Sequence, residues 1–89
     1  MRKMAIISKP GVEFRRAMIY DPEDGSGVFV FLFHALDDGP CRADEWYEDV
    51  AGAERHAAEN LGIEDADWQL LPDPLPGCRH DRIAPVRIT

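Results

Sequence analysis

Four side chains in this sequence are of types that do chemistry together: Cys41, Cys78, His80 and His34. Cysteine thiolates and histidine nitrogens are tetrahedral zinc ligands. Cys78 and His80 offer two such donors one residue apart, and His34 and Cys41 lie near the two ends of one turn. Structural zinc sites usually show CxxC or HxxxH spacing, and the sequence has neither. The same residues also suit a cysteine nucleophile activated by histidine, with His80 close to Cys78 and Asp81 placed to orient it. Such a set can be assembled from almost any small chain with three histidines. The expectation is therefore two idle thiols, and a metal or thiol site using Cys41, Cys78 and His80 is the alternative reading. His34 sits in an apolar run and reads as a hydrogen-bonded strand residue rather than a base. His56 reads as a solvated helix side chain. Asp37-Asp38 and Asp44-Glu45 lack the alternating oxygen ligands of a calcium loop, and turn or cap roles explain them better. No G-x-G-x-x-G, P-loop or G-x-S-x-G motif occurs. No catalytic residue, cofactor or metal is assigned, and a non-enzyme is expected over a small enzyme.

Charge says more than any motif. The chain has 89 residues and a formal net charge of −7, and the imbalance is local. Between Asp37 and Asp67 stand eleven acids against only Arg42 and Arg55, whereas the remainder is mildly basic. Nucleic acid and anionic membranes are bound through Lys and Arg, so an acidic face disfavours both and suits a basic protein partner. The competing explanation is a solvated, solubilising surface. No apolar run approaches the length of a membrane span, and the apolar part of MRKMAII is too short for a signal-peptide core. A cytoplasmic chain with two free cysteines is the expectation. Its length suits one domain, 1–89, and its apolar fraction of 45% argues for a folded core.

These residues must be positioned by a small set of elements. Trp46–Ile63 reads as the only convincing helix. Asp49 suits the N-cap, Val50, Ala53, Ala57 and Leu61 share one face, and Gly62 suits the left-handed residue that closes the last turn. Its inner face is mostly alanine, so most of the burial must come from a sheet. Strands are expected at residues 4–8 (or an ordered arm there), 12–20, 28–36, 41–47 and 67–71, with turns at 9–11, 21–27 and 37–40. PDPLPG at 72–77 is an extended connector, or a docking ligand for an aromatic groove, and Pro85 would hold a last strand at 83–88 to a sheet edge. The fold class is α+β: an antiparallel β-meander of about three to five strands, with a single helix on one face and an extended C-terminal tail.

The run 28–36 is apolar on both faces, with Phe29, Phe31 and Phe33 on one side and Val28, Val30 and Leu32 on the other. One helix covers one face only. The other must meet the N-terminal arm, the tail or a second subunit, which makes Phe29, Phe31 and Phe33 the candidate interaction residues and a homodimer a candidate assembly. The set Asp38-Gly39-Pro40-Cys41, Trp46-Tyr47-Glu48, Leu61-Gly62-Ile63, Trp68, Pro72 through Cys78, and Ala84-Pro85-Val86-Arg87 resembles a group of small bacterial proteins of unknown function. The likeness spans roughly residues 27–88 and implies no activity, cofactor or catalytic residue.

Overall fold

The helix α1 runs from Val50 to Leu61 and is capped at both ends by the expected residues. Asp49 is extended, and its carboxylate accepts the Gly52 amide at 2.8 Å. Gly62 takes φ 69°, and the amides of Gly62 and Ile63 both donate to the Ala57 carbonyl. This left-handed closure turns Ile63 back onto the core, where it is buried. The computed structural model describes residues 1–88.

Five strands form one antiparallel sheet: β1 (Arg2–Ile6), β2 (Arg16–Tyr20), β3 (Val28–Phe33), β4 (Ala43–Tyr47) and β5 (Gln69–Leu71). Their order is β4-β3-β2-β1-β5, so β1 to β4 make a meander and β5 returns after the helix to pair with β1. The fold is α+β, with α1 packed on one face. The register gives each face its identity. Ala5, Ala17 and Leu32 align across β1, β2 and β3, as do Lys3, Ile19 and Val30. This side meets Ala53, Ala57, Leu61 and Ile63 in the main core. Small residues on both the helix and the sheet (Ala5, Ala17, Ala53, Ala57) let the two layers approach closely.

Several boundaries differ from the sequence pattern. Strand β1 is an interior strand, starting at Arg2 rather than at residue 4. Its two basic residues mark a solvated end by composition, yet Arg2 is buried and Lys3 ion-pairs with Glu54 of α1 at 2.7 Å. The pattern at 12–20 yields a strand only from Arg16. Val12 and Phe14 pack on the helix-side core, whereas Met18 and Tyr20 lie on the opposite face. Strand β3 stops at Phe33, and β4 starts at Ala43 rather than Cys41, because the loop between them is tied to the tail instead of extending the ladder. Asp67 belongs to a 3-10 turn at Asp65–Asp67, which leaves β5 three residues.

The expected edge strand at 83–88 does not form. The tail instead folds into a small loop of its own: Cys78 and Arg87 form an isolated antiparallel bridge, Arg79 N–H donates to Val86 O, and Ile88 N–H donates to Gly77 O. This loop lies on the sheet face that α1 leaves open. The buried Arg2 guanidinium donates to the carbonyls of Pro72, His80 and Arg82. Asp38 accepts the amides of Ile83 and Ala84, both at 2.9 Å. Arg16, 1% exposed, donates to Ala35 O and Asp37 O and lies 3.7 Å above the Phe33 ring. A buried cation is tolerated only when its donors are satisfied, and here backbone carbonyls do it.

Candidate functional site

The four chemistry-bearing residues end on different neighbours. Cys41 is half-buried, and its amide donates to Asp81 Oδ2 at 2.9 Å. Burial, a thiol hydrogen bond to Asp81 and the charges of Asp81 and Asp44 push its thiol up to about 11. At neutral pH it is a protonated thiol, the wrong state for a nucleophile or metal ligand. Cys78 is buried in the tail bridge with Arg87. His80 is exposed and packs on the Tyr20 ring at 4.6 Å. His34 is exposed, stacks on Phe14 at 5.0 Å and sits 3.3 Å from Glu13. Asp81 thus serves the Cys41 amide instead of orienting His80. Among the described residues, no group of three or more His, Cys, Asp or Glu is arranged to hold a metal ion.

The three phenylalanines of β3 separate by their cover. Phe33 is 1% exposed beneath Arg16 and presents no surface, which removes it from the candidate interaction residues. Met18 beside it is also sealed, with 0% exposure. Phe29 and Phe31 stay half-buried with their rings nearly parallel at 6.4 Å, and Phe31 stacks with Tyr20 at 6.5 Å. In register, Phe29 is flanked by Tyr20 on β2 and Trp46 on β4. Trp46 is 54% exposed. Its indole N–H donates to Ser26 O at 2.9 Å, which fixes the ring over Gly27. The result is an aromatic surface of Trp46, Phe29, Phe31, Tyr20 and His80. Trp46 and Tyr20 were not named as contact residues from sequence, but the alternation of side chains along β4 and β2 carries the signal.

Carboxylates border this surface. Asp44 aligns with Phe31 at the sheet edge and is exposed. Glu45 points to the helix side, 3.6 Å from His56 Nε2 and within 3.2 Å of the Tyr47 hydroxyl. Burial and the adjacent Glu45 charge push the Tyr47 phenol up to about 12. An open depression of about 400 Å³ beside Gly27 is lined by Asp21, Glu23, Glu48 and Asp49, of which Asp49 is committed to its cap. Two other depressions, of about 210 and 420 Å³, adjoin Ile6 and Ser8 and contain no histidine or cysteine.

Family models, curated proteins and solved structures give no match to this chain, so the resemblance seen in its motifs carries no activity to it. No helix among the described residues is long and apolar enough to cross a membrane.

Proposed function

We propose that this chain is a single α+β domain acting in the cytoplasm as a protein-interaction module for a basic partner, with no catalytic step of its own. The observation that carries the reading is Trp46, 54% exposed beside half-buried Phe29 and Phe31 and bordered by Asp44. Aromatic side chains exposed together and held rigidly are the usual anchors of protein contacts. Carboxylates around them favour cationic side chains, which also interact with the indole face.

The charge favours one of two kinds of partner. A homodimer would bring together two chains of net charge −7, and the acids of the 37–67 stretch would face one another. A separate, basic protein avoids that repulsion.

A photo-crosslinking residue at position 46, compared with one at the exposed position 55 on the outer face of α1, tests the reading in the native cell. Adducts with a basic protein from position 46 and few from position 55 are expected. Equal labelling from both positions, or none from position 46, would sink it. Adducts between two copies of this chain would replace the basic partner with a homodimer.

A further inference from the structure

We propose that the partner docks as an extended, Lys- or Arg-bearing segment that adds a sixth strand along the outer edge of β4. This rests on the interaction reading above and specifies how the contact is made. Strand β4 is an end strand of the sheet. Among the described residues, no hydrogen bond from any segment other than β3 reaches the backbone of Ala43–Tyr47. Such an edge is a template for strand addition, in which main-chain hydrogen bonds hold the segment and alternate side chains select it. The opposite edge is a poorer template, since β5 has three residues and runs directly into Pro72.

The side chains of β4 state what the added strand must carry. Asp44 and Trp46 project to the aromatic face, two residues apart, so a cationic side chain laid between them meets a carboxylate and an indole ring together. Glu45 projects to the helix side and Glu48 follows at the strand's end. Carboxylates therefore flank the edge on both of its sides, and basic residues in either alternation of the incoming segment find one. A second copy of the chain is opposed by the same groups. A two-fold antiparallel pairing centred on β4 sets the Glu45 carboxylate against its own copy. Acids along an edge discourage self-pairing while leaving it open to a cationic strand.

The test uses the intact protein and a peptide of about eight residues that alternates Arg and Val. Controls are the same peptide N-methylated at both the valine and the arginine amides, which blocks either pairing edge, and a Glu–Val peptide. Binding is followed by Trp fluorescence, and its location by amide hydrogen exchange. Expected are slowed exchange of the outward-facing amides within 43–47, and binding at least about tenfold weaker for the N-methylated peptide. Asp44→Lys should weaken the Arg–Val peptide by a similar factor, and Asp44→Asn by less. If the N-methylated peptide binds equally well, strand addition is overturned while the aromatic contact stands. No binding at about 1 mM, or equal binding of the Glu–Val peptide, overturns the basic occupant. Protection of the β4 amides in concentrated protein without peptide, with sedimentation as a dimer, gives the edge to a second copy.

Discussion

Cys41 shows how a residue's neighbours cancel the chemistry its type allows. Its thiol is half-buried beside Asp81 and Asp44, and all three influences oppose a negative sulfur. A free cysteine near 8.5 is appreciably ionised at pH 8, whereas a thiol near 11 is almost wholly protonated. Iodoacetamide should therefore alkylate Cys41 roughly tenfold or more slowly than glutathione at pH 8, after allowing for the greater nucleophilicity of a more basic thiolate. Asp81→Asn should recover part of the rate, and a wild-type rate equal to glutathione's would refute the assignment. The sign for stability follows. The folded-state value is raised, so the contribution is complete below about pH 8.5 and is lost as pH rises towards 11. Nothing in the residue's local sequence carries this, because Asp81 lies forty positions away and reaches Cys41 only through the fold of the tail.

Among the elements, the β2–β3 turn and β4 are coupled through one ring. Gly27 has φ 104°, a conformation that favours glycine, and a Cβ there would overlap the Trp46 indole. Gly27→Ala should destabilise the protein by about 1–3 kcal/mol, since both backbone strain and displacement of Trp46 oppose it. A lowered Tm with a red-shifted Trp emission checks this, while a lowered Tm with unchanged emission would leave the cost to backbone strain alone, and an unchanged Tm would overturn both. The caps of α1 were legible in sequence because Asp49 and Gly62 act within one turn of their own positions. The strand ends were not. Alternation continues from Val12 through Tyr20, but the chain changes face between Phe14 and Met18, and only the packing of Phe14 against the helix-side core reveals the change.

For the whole molecule, the decisive feature is that the tail acts as a second layer. Three ties hold it: Arg2 to the carbonyls of Pro72, His80 and Arg82, Asp81 to the Cys41 amide, and Asp38 to the amides of Ile83 and Ala84. Burial alone pushes the Asp38 carboxyl up, but those two amides with the Arg82 and Arg16 guanidiniums outweigh it and hold the carboxyl below its usual range. A lowered folded-state value means that this tie is fully present above about pH 4 and is lost as pH falls below it. The amides of Ile83 and Ala84 should keep their exchange protection at pH 5 and lose it in more acid solution, before β2 and β3 open. Asp38→Asn should loosen the tail at neutral pH by about 1–2 kcal/mol, the worth of charge-assisted hydrogen bonds, leaving the sheet folded. Equal protection in the variant and the wild type would remove Asp38 from that role.

The sequence by itself determined the α+β class, the capped helix, the meander of alternating strands and the two-sided character of Val28–Phe33, because each depends on residues close in the chain. It also carried the placing of Phe29 and Phe31 opposite the helix, through the period of two along a strand. Only the tertiary structure decided what covers that second face. The tail is tied onto it through Arg2 and Asp38, and Arg16, held by carbonyls of the β3–β4 loop, covers Phe33; these ties run to backbone carbonyls and amides, and backbone groups are present in every sequence, so no residue pattern announces such partners. The tertiary structure likewise left Trp46 at an open edge among carboxylates, by putting β4 last in the strand order. Strand order depends on pairings between distant segments, and nothing in the local pattern of Ala43–Tyr47 fixes it.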